Sequence, residues 1–172
     1  LKDKVEQLNF KLNNLEKVKN ENQRLRKLLN FKERVPYQIV GASVISYSAD
    51  NWSQVVTINR GKKAGIKAKM AVLAEKGYLI GTVKRVTNHT AQVLLLTDPQ
   101  FVTGGLVSRS SSRDLGVVRG RKKSNQLLMN NLSWDADIKS EDVIVTSGLS
   151  GNLPKGLPIG EVISVSPDNY GL

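Results

Sequence analysis

The sequence GYLIGTVKRV at residues 77–86 returns near the end of the chain as GLPIGEVISV at residues 156–165. The copies share the residues at offsets 0, 3, 4, 6 and 9, and a strand-like run ending at a glycine precedes each copy. Their paired glycines, Gly77 with Gly81 and Gly156 with Gly160, allow a positive φ at a tight turn or a bulge at a barrel corner. The repeat predicts two equivalent small β units, with chance similarity among glycine- and valine-rich strands as the alternative.

Short β-branched runs occur throughout the chain after the first 35 residues, separated by clusters of Gly, Pro, Asn, Asp and Ser. The predicted strands cover residues 39–47, 54–58, 70–73, 78–80, 91–96, 116–118, 126–129, 143–145 and 159–165. This spacing is typical of antiparallel barrels or sandwiches rather than of alternating strand-helix units. The sequence therefore predicts a mainly β fold with two small antiparallel β-barrel domains, residues 36–98 and 99–172. We place the division near Asp98 and Pro99, and strand exchange between the two domains is compatible with the pattern.

Residues 1–35 show the periodicity of a coiled-coil helix. The segment contains no Gly or Pro, and its apolar steps alternate between four and three residues, which is the heptad spacing of a seam that packs on a partner helix. One step is a residue short, as in a stammer. The predicted seam residues are Leu1, Val5, Leu8, Leu12, Leu15, Val18, Asn22, Leu25 and Leu29. The helix is expected to end at Val35-Pro36, because proline disfavours helix in the residue before it.

Charged residues cover the rest of this helix, so only the seam can be buried. Isolated helices of this length are marginal in water, and a narrow apolar stripe needs a partner. We therefore predict a homodimer formed through the seam, with an amphipathic helix folded back on its own domain as the alternative. Asn22 at a core position would select the register, since it is satisfied only opposite another Asn. A solvent-facing Asn22 at the slip is the other interpretation.

The composition is that of a globular protein and removes several classes of site. The 172 residues are 40% apolar and carry 26 Lys and Arg against 15 Asp and Glu, a formal net charge of +11. The chain has no Cys and one histidine, His89, which excludes disulfides, thiol nucleophiles and most metal sites. No run approaches the roughly 20 apolar residues that span a bilayer. Because the chain starts within a helical pattern, we expect any signal or anchor upstream.

Candidate catalytic residues are few. Thr146-Ser147-Gly148 places two hydroxyls at a glycine turn, and His89 is the only histidine that could act as their base. No spacing brings in a carboxylate to orient that base, so we predict no catalytic residue, no metal, no cofactor and no enzyme activity. Thr146, Ser147 and Gly148 remain a candidate functional turn. The structural alternative is that both hydroxyls satisfy backbone groups at a strand end. The carboxylates of residues 135–142 lack the spacing of a calcium loop and are interpreted as a solvated loop.

Positive charge is concentrated in two loops. The basic residues are Arg60, Lys62, Lys63, Lys67 and Lys69 in the first loop and Arg113, Arg119, Arg121, Lys122 and Lys123 in the second. Such loops attract polyanions, including nucleic acid, anionic lipid and anionic cell-wall polymers. The aromatic residues are too few and scattered to form the stacking surface of a single-strand binder, so we predict no nucleic-acid partner. A solubilising surface is the ordinary alternative.

Several motifs together resemble the rod shape-determining protein MreC family. The most specific is VTSGLSGNLPKGLPIGEV at residues 145–162, accompanied by LLLTD at 94–98, INRG at 58–61 and NQRLRKLLNF at 22–31. The likeness covers nearly the whole chain and is diffuse over residues 100–130. The sequence departs from the family pattern at Glu141-Asp142, where Gly-Asp is expected before the strand. That departure bears on the turn geometry.

The resemblance implies a single-pass protein of the cell membrane, whose transmembrane helix precedes this segment and whose coiled coil and barrels lie on the extracytoplasmic side. It also implies the partners MreD, the actin-like MreB, a class B penicillin-binding protein and a SEDS glycosyltransferase. We therefore expect a non-enzymatic scaffold of the bacterial elongation machinery that dimerises and binds peptidoglycan synthases to control cell shape. The alternatives are a polyanion or nucleic-acid binding module and an envelope adaptor of a transport complex, whose coil is usually a hairpin of two helices.

Overall fold

The N-terminal segment forms one long helix, as its sequence predicts. The structure, a computed structural model, describes residues 2–34, 36–50, 53–121, 126–149, 151 and 153–166. Helix α1 spans Lys2–Arg34 without an internal Gly or Pro, and it ends before Pro36, which cannot continue the helical hydrogen bonds. Among the described residues there is no helix whose length and apolar character would let it cross a membrane.

Five antiparallel strands form the first sheet. They are β1 (Val44–Asp50), β2 (Ser53–Ile58), β3 (Ala71–Leu73), β4 (Leu79–Val86) and β5 (Ala91–Leu95), and their order across the sheet is β1-β2-β5-β4-β3. The β-branched run of β2 pairs with β5 from Val55 opposite Leu94 to Ile58 opposite Ala91. A 3₁₀ turn at Lys62–Ala64 follows β2.

The second sheet also has five antiparallel strands. They are β6 (Val102–Val107), β7 (Leu115–Gly120), β8 (Leu127–Asn130), β9 (Val143–Thr146) and β10 (Pro158–Glu161), in the order β10-β9-β6-β7-β8. The predicted fold class is confirmed, because the chain is mainly β with an N-terminal helix and two antiparallel β units. The placement of the domain boundaries at residues 35 and 98 stays a prediction.

Two hydrophobic cores hold the sheets. The smaller lies within the first sheet and contains the buried residues Val56, Ile58, Val83, Ala91 and Val93. The larger contains Phe101, Val107, Val118 and Ile144 from the second half of the chain together with Leu79 and Leu96 from the first. Because this core draws on both sheets, they pack into one compact unit, Ala42–Leu172, whereas the helix belongs to the unit Leu1–Gly41.

The link between the sheets is fixed by a buried carboxylate. Asp98 is fully buried, and its side-chain oxygens accept hydrogen bonds from the backbone N–H of Gln54 at 2.6 Å and of Gln100 at 2.7 Å. The backbone of Gly120 in β7 approaches the Asp98 carbonyl so closely that a Cβ would overlap it. These contacts join the start of β2, the link and the end of β7, so they set the position of one sheet against the other.

Four strand predictions needed correction. The strand predicted over residues 78–80 extends to Val86, because its second half pairs with β5. The sequence analysis missed β6 because Gly104-Gly105 reads as a turn. In the structure these glycines are inside the strand, and a Cβ at Gly105 would lie 2.6 Å from Val118 Cγ2. The strand predicted over residues 39–47 begins only at Val44, which is the residue paired with the end of β2 at Ile58. The strand predicted over residues 159–165 ends at Glu161, opposite the first residue of β9.

Candidate functional site

The predicted seam forms an exposed apolar stripe on α1. Its exposed fractions run from 52% at Val5 to 66% at Val18. Between these limits lie Leu8, Leu12, Leu15, Leu25 and Leu29, all more than half exposed. The predicted seam residue Leu1 lies outside the described residues. Large aliphatic side chains at heptad spacing gain free energy only if a partner removes them from water, at about 25 cal/mol per Å² of buried apolar area.

Polar side chains beside the later part of the seam are already ordered within the helix. The guanidinium of Arg24 donates two hydrogen bonds to the carboxylate of Glu21, at 2.6 and 2.9 Å, and this contact lowers the pKa of Glu21. Asn22 is exposed in the single chain, where its Oδ1 accepts a hydrogen bond of 2.9 Å from Arg26 Nε. An Asn22 pair across a dimer would replace that bond, and its selection of register stays a prediction.

Strand β1 provides a second exposed apolar surface. It is an end strand of the first sheet, hydrogen-bonded along one side to β2. Val44, Ile45 and Tyr47 are all more than half exposed. A strand with an open side and exposed apolar residues is a template for pairing with another protein segment. Sequence analysis placed a strand here but had no signal that it would be an edge.

The repeat has the same backbone geometry in both copies. Gly77 and Gly156 take left-handed conformations, with φ of 85° and 89°. In each copy the residue at offset 3, Ile80 or Ile159, is passed over by the register of its hairpin and forms a bulge. The two hairpins, β3 with β4 and β9 with β10, are therefore built in the same way.

The likeness extends to the residues before each hairpin. Lys69 and Glu141 both have a positive φ, 70° and 71°, although neither is glycine. Each donates its backbone N–H to the carbonyl at offset 6 of its copy, Val83 at 2.7 Å and Val162 at 2.8 Å. The family resemblance predicts glycine in place of Glu141, and the left-handed backbone of Glu141 is a conformation that glycine adopts without strain.

The second glycines of the repeat differ in their surroundings. Gly81 lies in β4 between β3 and β5, and a Cβ there would overlap the Leu94 carbonyl. Gly160 lies in β10 at the end of the second sheet, and its Cβ position has no heavy atom within 4 Å. The glycine is required by packing in the first copy alone.

The turn at residues 146–148 has backbone partners for both of its hydroxyls. Thr146 is fully buried, and its Oγ1 donates to the Pro154 carbonyl at 2.5 Å and accepts from the Leu157 N–H at 2.9 Å. Ser147 Oγ accepts from the Leu149 N–H at 3.3 Å. Gly148 has a φ of 75°. These bonds tie the end of β9 to the loop before β10, and a functional role for this turn beyond that stays a prediction.

The structure places the residues considered for catalysis and metal binding in different elements. His89 is exposed in the turn between β4 and β5 of the first sheet, whereas Ser147 is buried at the end of β9 in the second. No cluster of three or more metal-ligating side chains occurs in the part of the chain that the structure describes.

An ion-pair network was missed by the sequence analysis, which interpreted residues 135–142 as a solvated loop. Arg109, just after β6, contacts the carboxylate of Asp142 through Nε at 2.9 Å and that of Asp137 through a terminal nitrogen at 2.9 Å. These hydrogen bonds lower the pKa of both carboxyls and raise that of Arg109. Asp142 is only 8% exposed, so this part of the loop is a packed anchor. No spacing in the sequence pairs Arg109 with partners some 30 residues away.

The comparisons with known proteins agree on one family. The family model described as "Rod shape-determining protein MreC, barrel core" matches residues 44–172. Cell shape-determining proteins MreC from Geobacillus stearothermophilus and Bacillus subtilis are each 36% identical to the chain over 167 residues. Those alignments cover 92% of the chain and 58% of each relative, so the chain spans little more than half the length of these proteins.

Solved structures with the same fold carry the same family name. A structure titled "MreC" has a TM-score of 0.80 at 30% identity and covers 90% of this chain and 86% of that one. MreC from Pseudomonas aeruginosa has a TM-score of 0.72 at 28% identity, with 78% of this chain and 85% of that one covered. A third, at a TM-score of 0.60 and 19% identity, is titled as a complex between penicillin-binding protein PBP2 and MreC from Helicobacter pylori and covers 75% of this chain and 78% of that one.

Proposed function

Because the chain belongs to the MreC family of rod shape-determining proteins, we propose that it is a non-catalytic scaffold that holds peptidoglycan synthases in place during cell elongation. The match to the family model over residues 44–172 confirms the resemblance found in the sequence. A scaffold needs surfaces rather than reactive groups. The exposed stripe on α1 and the open strand β1 are surfaces of this kind.

The single observation that carries the proposal is the exposed seam of α1. At 1.5 Å per residue its 33 residues make a helix about 50 Å long. Along it, large apolar residues keep heptad spacing and stay more than half exposed. Pairing two such seams doubles every binding surface on the sheets and raises the local concentration of any partner, so weak contacts act with avidity. The scaffold is therefore a homodimer joined through α1.

The partner we propose is a penicillin-binding protein. The Helicobacter pylori structure, titled as a complex between PBP2 and MreC, supports this class of partner. Exposed Val44, Ile45 and Tyr47 on β1 offer apolar surface of the kind that such a contact buries. By family resemblance, the proposal extends to MreD, MreB and a SEDS glycosyltransferase. The same resemblance supports a place on the extracytoplasmic side of the cell membrane, with a single membrane-spanning helix that precedes residues 1–172.

Cysteine crosslinking tests the pairing directly, because residues 1–172 contain no Cys. In a parallel dimer in register, identical core positions face each other within reach of a disulfide. Leu12→Cys should therefore give a crosslinked dimer under mild oxidation. Asn14→Cys, two residues along the same helix and off the seam, is the matched control and should stay monomeric on a denaturing gel.

Three results decide the test. Crosslinking of Leu12→Cys well above the Asn14→Cys level supports the paired scaffold. Equal crosslinking of both variants would mean random collision, and no crosslinking of either would mean that the seam does not bring two chains together. Either of the last two results contradicts a dimer joined in register through α1.

A further inference from the structure

The positive charge of the β region is concentrated in its first sheet. Residues 53–97 contain eight Lys and Arg against a single acid, Glu75, whereas residues 99–172 contain eight against seven acids. Net charge that is localised in this way attracts polyanions and raises their rate of encounter. None of the partners proposed above accounts for this positive charge.

The loop that carries most of these cations is held against the turn between β4 and β5. The backbone N–H of Lys62 donates to the Thr87 carbonyl at 2.8 Å, and that of Lys63 donates to the Asn88 carbonyl at 3.1 Å. Gly61 permits this approach, because a Cβ there would overlap the Thr87 carbonyl and lie 2.7 Å from the His89 nitrogen. The basic loop is therefore preorganised by backbone contacts that leave its lysine side chains to solvent.

The turn beneath the loop is itself fixed. The hydroxyls of Thr87 and Thr90 lie 2.8 Å apart, and Thr87 Oγ1 accepts the Thr90 N–H at 3.0 Å. Between turn and loop lies a shallow cavity of about 220 Å³, lined by polar and basic residues that include Asn59, Lys63, Asn88 and His89. Among the residues that the structure describes, no carboxylate lines this cavity.

The lysines of the loop lack the neutralising partners found elsewhere in the molecule. Lys62, Lys63, Lys67 and Lys69 are exposed, and within the described ranges none of them forms a salt bridge. Arg109, just after β6, is by contrast neutralised by Asp137 and Asp142. We call Lys62, Lys63, Lys67 and Lys69, with the cavity beside them, the basic end of the first sheet.

We propose that the basic end binds a polymer of repeated phosphate groups. Lysine acts on phosphate as a point charge, so a row of lysines tolerates a flexible chain better than the directional fork of arginine does. The cavity accepts one phosphate group while the lysines along the loop contact its neighbours. Of Phe, Tyr and Trp, the described positions 53–97 contain only Tyr78, and His89 is the one ring beside the cavity. A run of bases would therefore find few rings to stack on. Residues 59–69 expose no large apolar side chain for insertion into a bilayer.

The test measures binding of long-chain inorganic polyphosphate to the full chain by fluorescence anisotropy at several salt concentrations. The site variant combines Lys62→Gln, Lys63→Gln and Lys67→Gln. The matched control combines Arg113→Gln, Arg119→Gln and Arg121→Gln, which removes the same charge from the second basic loop. All six positions are on the surface or partly exposed, and circular dichroism checks that both variants keep their β signal.

We expect the site variant to bind about tenfold more weakly or worse, with the slope of log affinity against log salt reduced by about 2, or about 0.7 for each lost contact. The control variant should stay within about twofold of the natural chain. Equal losses in both variants would show a net-charge effect and overturn the site. Tighter binding of duplex DNA or of anionic vesicles than of polyphosphate would overturn the proposal and assign the basic end to another class of partner. Absence of binding at low salt would overturn the proposal outright.

Discussion

Single glycines decide where the strands of this protein can approach each other. The repeat supplies two that are equivalent in sequence, Gly81 and Gly160, yet only at Gly81 does the backbone of a neighbouring strand occupy the position of a Cβ. The second copy differs because β10 is the end strand of its sheet, whereas β4 is covered on both sides. The repeated sequence thus determines the local turn and the bulge. The neighbouring strand determines whether a Cβ fits at the second glycine.

The pair provides a matched experiment on stability. Gly81→Ala forces a Cβ into the Leu94 carbonyl, which cannot move without shifting β5, so we expect a loss of about 2 kcal/mol or more in the free energy of unfolding. Gly160→Ala meets no atom and should change that energy by less than about 0.5 kcal/mol. Urea unfolding followed by circular dichroism measures both. Equal effects of the two substitutions would show that the first sheet is not packed as described.

Glu141 offers a test in the opposite direction. Its φ of 71° costs an ordinary residue about 1–2 kcal/mol, and glycine avoids that cost while losing about 0.5–1 kcal/mol to greater freedom in the unfolded chain. We therefore expect Glu141→Gly to stabilise the protein by about 0.5–1 kcal/mol. Glu141→Ala, which keeps the strain, serves as the control and should bring no such gain in the melting temperature. A gain from alanine as large as that from glycine would point to the lost carboxylate as the cause.

The helix and the strands were not equally predictable from the sequence. Helix α1 was predictable almost to the residue, because thirty-odd residues of heptad spacing end at a proline. Most strands were predictable from β-branched runs, but β6 was not, since Gly104 and Gly105 are the residues of turns. Their place in a strand is explained by distant residues: Ser147, just after β9, and Val118 in β7 occupy the space that side chains there would fill. Packing between distant segments of this kind leaves no local pattern.

The contact between Arg109, just after β6, and the loop before β9 makes the stability of the chain depend on pH. Arg109 lowers the pKa of Asp142 below its ordinary value. A carboxyl whose pKa is lower in the folded chain stabilises that chain fully above the unfolded value, about 3.9, and loses this contribution as the pH falls through the folded value. The melting temperature of the natural chain should therefore fall as the solution is acidified below about pH 4.5.

Asp142→Asn should lower the melting temperature at neutral pH, because Arg109 loses a charged partner. It should also reduce the fall in melting temperature on acidification, because position 142 no longer carries a carboxylate that can be protonated. Asp135→Asn, at an exposed position of the same segment, is the control. Its melting temperature should fall with acid pH as steeply as that of the natural chain. Thermal unfolding between neutral and acid pH gives the comparison. An unchanged dependence of the melting temperature on acid pH in Asp142→Asn would remove the contact between Arg109 and Asp142 as a source of acid stability.

At the scale of the whole molecule, the sequence indicated the class of fold, the helix and the family, because heptads, β-branched runs and an internal repeat are local patterns. The order of the strands, the shared core around Phe101 and Val118, and the open side of β1 depend on contacts between distant segments. Of the candidate surfaces, the seam was readable since it is a periodicity along one helix. The exposed edge was not, since it depends on which strands meet. The lysines of the basic end were readable as a basic loop, but the contacts that hold this loop against the turn between β4 and β5 were not.

The most direct test of a paired scaffold is the mass of its complex with the penicillin-binding protein of the same organism, measured by sedimentation velocity on the purified proteins. The complex formed by the natural chain should contain two scaffold chains and two partner molecules. The combination Leu8→Asp with Leu12→Asp places charge in the seam and should give a complex of one chain with one partner, its circular dichroism β signal unchanged. Asn13→Asp with Asn14→Asp adds the same charge off the seam and should keep the larger mass. A natural chain that sediments as a monomer at every concentration, or that forms no complex with the partner, would contradict the account.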